Sequence, residues 1–285
     1  MGPIRRACLD TFIEKGHEFV LYTYDAVSDI PAEITQRDAN EIIDYSDIFY
    51  YRNPFSGEAC DLGPFSDLFR FKLLSQEGGW WSDVDTLCLS ESIGEPDYAW
   101  AQEQPEKNQA AIGTSQIAMP AGSSIANTLY HECLKLSRTD FQPREALGPH
   151  LLSRVVSSLQ LEKNRYGEAN LFYPVRWIEM FKLWLPEYHN EAMEKAAKAY
   201  FMPIYQSYPK YLGLDVLGLP PKDSYLYAIL QKGCHIQKDS NINFYDAAII
   251  RDKVREFFKR NKDWAPQELD AVAGRPCRDK LLSDS

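Results

Sequence analysis

The sequence lacks any hydrophobic run long enough to cross a bilayer, and no signal-peptide pattern opens it. It also lacks a basic balance, since 31 Lys and Arg face 41 Asp and Glu for a formal net charge of −10. Nucleic acid and anionic membrane both favour basic surfaces. We therefore expect no nucleic-acid partner and at most a peripheral association with membrane.

Paired cysteines are lacking as well. The six cysteines are scattered along the chain, with no Cys-x-x-Cys pair and no spacing typical of a metal site. This pattern favours buried, reduced thiols over a disulfide framework. None of the five histidines forms a His-x-x-x-His pair. Together with the missing leader, these features predict a cytoplasmic protein.

What the chain does have is enough apolar material for a large core. Its 285 residues are 45% hydrophobic and 13% aromatic, which allows one large α/β domain or two small ones. No internal repeat and no low-complexity linker divides the sequence. We expect a single domain over residues 1–264 and a loosely ordered tail over residues 265–285.

The most informative stretch lies between residues 66 and 85. It opens with Ser66-Asp67-Leu68-Phe69-Arg70 and closes with Gly78-Gly79-Trp80-Trp81-Ser82-Asp83-Val84-Asp85. The apolar spacing between these ends predicts a helix with one buried side, capped by Ser66 or Asp67. Asp67 and Arg70, three residues apart, share a face of that helix. Gly78 and Gly79 should end the helix and allow a tight turn.

Two carboxylates then stand one residue apart at the end of a predicted buried strand. Alternate residues of a strand point the same way, so Asp83 and Asp85 can face one spot. Convergent carboxylates are costly to bury unless a cation or a proton lies between them. Mg²⁺ or Mn²⁺ takes one or two protein carboxylates and leaves other positions to phosphate and water. Such an ion is typical of a nucleotide-diphosphate site. The motif predicts one here, with Asp85 as the direct metal ligand and Asp83 binding the ion through water or accepting a hydrogen bond from the ribose or sugar of the ligand.

This stretch resembles the sugar-binding region of the Asp-x-Asp glycosyltransferases. The family includes yeast-type initiating mannosyltransferases, alpha-1,4-galactosyltransferases and bacterial capsular polysaccharide transferases. Its pattern is Ser-Asp-x-x-Arg, an apolar helix, Gly-Gly, two aromatic or aliphatic residues and Asp-x-Asp. The matching residues at the family's spacing are Asp67, Arg70, Gly78, Gly79, Asp83 and Asp85.

The resemblance implies a GT-A-like, Rossmann-like α/β domain with a mixed, mainly parallel sheet flanked by helices. It implies a Mn²⁺- or Mg²⁺-dependent, retaining hexosyltransferase of bacterial, cytoplasmic type in polysaccharide biosynthesis. The partners would be a nucleotide-sugar donor, UDP-linked rather than GDP-linked, and a glycan or lipid-linked acceptor. Asp67 and Arg70 would grip the donor sugar, and Gly79, Trp81 and Asp83 would complete the donor-binding set. No side chain is assigned as a nucleophile.

The chain also departs from the family pattern. Relatives carry a further strand ahead of the segment matching Met1, so the first strand is missing or shortened here. Their His-Leu-Trp-like segment, which can supply a third metal ligand, corresponds to residues 200–205, which contain no histidine. Residues that could complete the metal or diphosphate shell are Tyr205, Asp215, Ser224 and His235. These departures leave one alternative open: a catalytically degenerate module that binds a glycan or a nucleotide sugar. A metal-dependent hydrolase is a second alternative, less favoured than the first.

For each of these residues, a purely structural interpretation without a role in binding also stays open. The two Asp-x-Asp carboxylates could be solvated acids in a turn, and Asp67 and Arg70 could be a surface ion pair. Trp80 and Trp81 could both be core aromatics, although we expect one of them to pack inward and the other toward the site. Lys72, Arg70 and Lys210 are cations available to offset phosphate charge, but composition does not place them.

Overall fold

The computed structural model describes residues 1–50, 62–103, 111–138, 145–233 and 244–261. These residues form ten α-helices and six short strands. The longer helices are α1 (Pro3–Glu14), α2 (Gly63–Gln76), α3 (Ser124–Ser137), α4 (Pro149–Ser158), α7 (His189–Ala196), α9 (Tyr225–Lys232) and α10 (Ala247–Arg260). Single-turn helices are α5 (Ala169–Phe172), α6 (Phe181–Trp184) and α8 (Tyr208–Tyr211). The expected tail, residues 265–285, lies outside the described residues.

The strands of the described chain pair two by two. They are β1 (Val20–Thr23), β2 (Thr35–Asp38), β3 (Gly79–Ser82), β4 (Thr86–Cys88), β5 (Gln116–Met119) and β6 (Phe201–Pro203). β1 pairs with β2 in parallel, whereas β3–β5 and β4–β6 are antiparallel. The α/β class is confirmed. The described strands do not form the single, mainly parallel sheet expected from the resemblance, because β3 and β4, although consecutive, take different partners.

Helix α2 begins earlier than the sequence pattern suggested. Pro64 lies in its first turn, where a missing N–H costs nothing, and Leu62 takes the N-cap position. Asp67 is therefore inside the helix, and the expected cap at Ser66 or Asp67 is wrong. The apolar side of α2 packs against α3. Its buried apolar side chains include Phe65, Leu68, Phe69, Phe71 and Leu74.

The end of α2 confirms the expected glycine turn. Gly78 and Gly79 both have left-handed backbones, with φ of 66° and 84°. A Cβ on Gly78 would lie 2.3 Å from the backbone nitrogen of Ala121, so no side chain fits there. The chain can thus reverse within three residues and place β3 beside β5.

Two large apolar clusters form most of the core. One gathers side chains of α1, α6, α9, α10, β4 and β6, and the other those of α2, α3, α4 and β5. Residues 83–85 connect β3, the partner of β5, to β4, the partner of β6. The Asp-x-Asp motif therefore joins the strand pair of one cluster to that of the other. None of the described helices is long and apolar enough to cross a membrane.

Candidate functional site

The two motif carboxylates lie in a tight turn rather than in a strand. β3 ends just before Asp83, and β4 begins just after Asp85. The expected strand alternation is therefore not what brings the two side chains together. The backbone is fixed on both sides instead, since Asp83 N–H donates to Ser115 O at 2.8 Å and Ile204 N–H donates to Asp85 O at 2.9 Å.

Hydrogen bonds fix the orientation of both carboxylates. Asp83 Oδ1 accepts hydrogen bonds from Arg70 Nη2 at 2.8 Å and from Trp81 Nε1 at 2.7 Å. Asp85 Oδ2 accepts one from the backbone N–H of Gln206 at 2.9 Å. The site therefore presents two carboxylates whose orientations are fixed by hydrogen bonds from Arg70, Trp81 and Gln206.

The electrostatics of this turn favour a bound cation. Burial, and next the negative charge of Asp83, raise the pKa of the Asp85 carboxyl above its ordinary value. A divalent cation would stabilise both ionised carboxylates. No group of three or more His, Cys, Asp or Glu side chains among the described residues could enclose a metal alone. Two protein carboxylates suit Mg²⁺ or Mn²⁺, because these ions take their remaining ligands from water and substrate phosphate.

Arg70 is the buried centre of the arrangement. Only 4% of the residue is exposed. Its guanidinium donates from Nη1 to Asp67 Oδ1 at 2.5 Å and from Nη2 to Asp83, and it stacks 4.9 Å from the ring of Trp81. The interpretation as an exposed surface ion pair is therefore wrong. Arg70 compensates two carboxylates and orients Asp83.

Asp67 is enclosed by the segment that opens α4. A Cβ on Gly148 would lie 2.4 Å from both carboxylate oxygens of Asp67, so only glycine allows this approach. Gly148 is the N-cap of α4, whose N-terminal end favours a nearby negative charge. Thr114 Oγ1 also donates to Asp67 Oδ1 at 3.5 Å. Asp67 thus ties α2 to α4 beside Arg70.

The two tryptophans of β3 divide as expected. Trp81 lies under Arg70 and donates to Asp83, so it faces the site. Trp80 packs against Phe172 and Phe201 and donates to Gly94 O at 2.9 Å. The sequence could not decide which tryptophan faces which way.

The remaining sequence candidates divide into three groups. Tyr205 reaches the site, since its side chain lies within electrostatic reach of Asp83 and Asp85. Asp215 and Ser224 serve local structure: Asp215 Oδ1 accepts from Leu217 N–H, and Ser224 Oγ accepts from Tyr227 N–H as the N-cap of α9. His235 lies outside the described residues.

The expected cations and Gly79 add little to the site geometry. Lys72 lies 4.5 Å above the ring of Tyr130, and Lys210 belongs to α8. Gly79 opens β3 with open space around its α-carbon. Its part in donor binding stays a prediction.

Sequence reasoning missed a further carboxylate beside Asp83. Burial raises the pKa of Glu103 to about 7, with the charges of Glu145 and Asp83 adding to the shift and the hydroxyl of Tyr205 opposing it. No local spacing links Glu103 to the Asp-x-Asp motif, because the antiparallel pairing of residues 101–103 with 111–113 fixes its position. The site thus holds a third carboxyl that can be neutral or charged near neutral pH.

Comparisons with known proteins add a distant structural likeness. No family model and no curated protein matches the chain. Among solved structures, the chain is similar to one named "PaToxG Glycosyltransferase", with a TM-score of 0.38 and 12% sequence identity. The likeness covers 81% of this chain and 80% of that one. At this TM-score and identity, the chemistry of the site has to be taken from its own residues, and the family resemblance of the motif stays a prediction.

Proposed function

We propose that this protein is a metal-dependent glycosyltransferase. It would move a sugar from a nucleotide-sugar donor, with UDP-linked donors favoured, to a hydroxyl of a glycan or lipid-linked acceptor. The observation that carries the proposal is the pair of neighbouring carboxylates, Asp83 and Asp85, which hydrogen bonds from two sides of the fold hold in place. A pair so prepared suits a cation that shares its remaining positions with a diphosphate.

Asp83 and Asp85 would hold Mn²⁺ or Mg²⁺. When bound, the ion would stabilise the charge that builds on the leaving nucleoside diphosphate. Arg70 would keep Asp83 in place through its hydrogen bond and would compensate the charge of Asp67. Gln206 would orient Asp85 through its backbone N–H. These contacts fix the ligand geometry before a substrate arrives, which lowers the cost of binding.

The motif resemblance supports the same assignment. Three of its matching residues, Asp67, Arg70 and Asp83, are in direct contact, and its two glycines make the turn that leads into β3. On the resemblance, we propose a hexosyl transfer with retained anomeric configuration. The leaving phosphate would then take the acceptor proton, so no protein nucleophile is needed.

A metal-dependent hydrolase is the second candidate, and one observation favours it. Hydrolysis would use a third acid or base near the carboxylate pair. Glu103 lies within electrostatic reach of Asp83, and its pKa of about 7 allows proton transfer near neutral pH. Water would then replace the acceptor hydroxyl as the attacking group.

Calorimetry with UDP and GDP, each with and without Mn²⁺, tests the proposal. We expect Mn²⁺-dependent binding of one nucleotide by the wild type and a loss of at least about tenfold in Asp85→Asn, which removes one charged ligand. Asp97→Asn, an exposed acid outside the site, is the matched control and should bind as the wild type does. No metal-dependent binding by folded protein would contradict the proposal.

A product assay separates the candidate functions. Nucleotide sugars incubated with Mn²⁺ and a glycan acceptor should release nucleoside diphosphate only when acceptor is present, if the protein is a transferase. Release at the same rate without acceptor would favour the hydrolase. Nucleotide binding with no release under either condition would favour a degenerate binding module.

A further inference from the structure

A second group of polar side chains borders the carboxylate pair, outside the Asp-x-Asp motif. Glu103 follows a short antiparallel pairing, and its N–H donates to Ala111 O at 3.2 Å. Its side chain is within electrostatic reach of both Asp83 and Arg70. The backbone pairing therefore holds a carboxylate at the edge of the proposed cation site, although no group of three ligands forms there.

Gly113 leaves the space in which this group assembles. A Cβ at Gly113 would lie 2.2 Å from Tyr173 Oη and 2.7 Å from Glu103 Cγ. Tyr173 Oη in turn accepts a hydrogen bond from Ser115 Oγ at 3.2 Å. The hydroxyl of Tyr173 and the side chain of Glu103 thus converge on one glycine, from opposite parts of the chain.

Tyr205 faces the same carboxylate from the β6 side. Its φ of 43° is a left-handed conformation that is rare and costly for a bulky residue. Its hydroxyl stabilises the charge of Glu103, yet the two do not reach the geometry of a full hydrogen bond, and Tyr205 Oη stays buried without a partner. The strained backbone therefore presents a hydroxyl with unused hydrogen-bonding capacity.

Further buried polar atoms around the site are unpaired. In the part of the chain that the structure describes, Gln206 Oε1 and Arg70 Nε also have no hydrogen-bonding partner. Arg70 is more than nine-tenths buried. Buried polar atoms are normally paired, and leaving them unpaired costs their desolvation free energy. Three such atoms beside the two carboxylates indicate a ligand rich in hydrogen-bonding groups.

We infer that Glu103 and Tyr205 form a hydroxyl-binding part of the site, next to the cation-binding pair. The Glu103 carboxylate accepts a hydrogen bond from a sugar hydroxyl, and Tyr205 Oη and Gln206 Oε1 bind neighbouring hydroxyls. The inference rests on the proposed function in taking a sugar as the ligand. The hydroxyl can come from the donor sugar or from the acceptor, since both offer the same chemistry.

Three variants separate this role from a structural one. Glu103→Gln keeps the shape and removes the charge, and Tyr205→Phe removes only the hydroxyl. Glu194→Gln, an exposed position on α7, is the matched control. Circular dichroism and thermal unfolding establish that each variant is folded.

The first measurement needs no nucleotide. Saturation-transfer NMR with glucose, galactose, mannose and N-acetylglucosamine should detect binding of at least one sugar to the wild type and to Glu194→Gln. We expect that signal to be lost in Glu103→Gln and weakened in Tyr205→Phe. An equal signal in wild type and Glu103→Gln, or no signal in the wild type, would overturn the inference.

The second measurement assigns the source of the hydroxyl. In Glu103→Gln, calorimetry with Mn²⁺ should give an unchanged affinity for UDP, because the cation-binding pair is intact. The affinity for UDP-glucose, UDP-galactose or UDP-N-acetylglucosamine should fall about tenfold or more if Glu103 binds the donor sugar. Unchanged donor affinity with a lost free-sugar signal would place Glu103 on the acceptor.

Failure of the proposed function can be distinguished from failure of this inference. Sugar binding that depends on Glu103, without any nucleotide binding, would overturn the proposed function and leave this inference standing. Metal-dependent nucleotide binding with no effect of Glu103→Gln on any sugar would do the opposite.

Discussion

Replacing Arg70 with Met should destabilise the protein strongly, because it removes the buried guanidinium that compensates the charge of Asp67. Arg70 is 4% exposed and Asp67 is 7% exposed, and Arg70 Nη1 lies 2.5 Å from Asp67 Oδ1. Removing one partner of a buried ion pair typically costs about 3–5 kcal/mol. Asp83, the second partner, has 32% of its side chain exposed, so water can compensate it in part. We therefore expect a loss near the lower end, about 3 kcal/mol.

Urea unfolding followed by circular dichroism measures this loss. Lys232→Met is the matched control. It also breaks an ion pair, that of Lys232 with Glu14, but 69% of the Lys232 side chain is exposed. Its cost should stay below about 1 kcal/mol. The double variant Arg70→Met with Asp67→Asn should regain about 1–3 kcal/mol, because it removes the buried negative charge that Arg70 compensated.

Equal costs for Arg70→Met and Lys232→Met would refute the reasoning, because burial would then make no difference to the two pairs. A double variant no more stable than Arg70→Met alone would refute it as well, since the buried Asp67 charge would then carry no cost in the absence of Arg70.

Three further predictions concern other parts of the described chain. Gly148→Ala forces a methyl group against Asp67. It should lower the free energy of unfolding in urea by about 1–3 kcal/mol and weaken Mn²⁺-dependent UDP binding. If neither quantity changes, Gly148 and Asp67 do not approach each other this closely. Burial would raise the pKa of Glu179, but the hydrogen bond from Arg176 and the charge of Lys182 outweigh it and lower the pKa from 4.5 to about 2. The folded-state pKa is thus below the unfolded one, so this carboxylate should stabilise the protein by on the order of 3 kcal/mol above about pH 5, and the contribution should vanish as the pH falls toward 2. Unfolding midpoints at pH 7 and pH 3 should differ less in Glu179→Gln than in wild type, and equal differences would contradict the prediction. Cys8, Cys88 and Cys133 are buried, and burial raises the pKa of each of these thiols. At most three of the six thiols of the native protein should therefore react rapidly with Ellman's reagent. Rapid reaction of four or more would contradict the burial of these three.

Part of the site could be predicted because its geometry is local. A spacing of three residues in a helix places Asp67 and Arg70 on one face whatever the rest of the chain does. Two consecutive glycines allow left-handed backbones that other residues avoid, so the end of α2 at Gly78 was predictable. The sequence therefore predicted the shared face of Asp67 and Arg70 and the glycine turn that follows α2, but not the contacts of Arg70 with Asp83 and Trp81.

The rest depends on contacts between distant segments. Glu103 reaches the site through pairing with residues 111–113, and Tyr205 through the β4–β6 pair. No sequence period encodes such pairings, and strands of three or four residues carry too little alternation to reveal their partners. The start of α2 differs from the prediction for another reason. Ser66 and Pro64 are both typical of helix starts, and the backbone of Pro64 is already suited to the first turn, so the helix begins before Ser66.

The position of the Asp-x-Asp turn has a thermodynamic consequence. Asp83 is fixed to the β3–β5 pair through Ser115, and Asp85 to the β4–β6 pair through Ile204 and Gln206. An ion shared by the two carboxylates would cross-link the strand pairs of both core clusters, and unfolding would have to release it. At a concentration one hundred times its dissociation constant, such a ligand raises the free energy of unfolding by about 2.7 kcal/mol. The melting temperature of the whole protein should therefore report how fully this one turn is occupied.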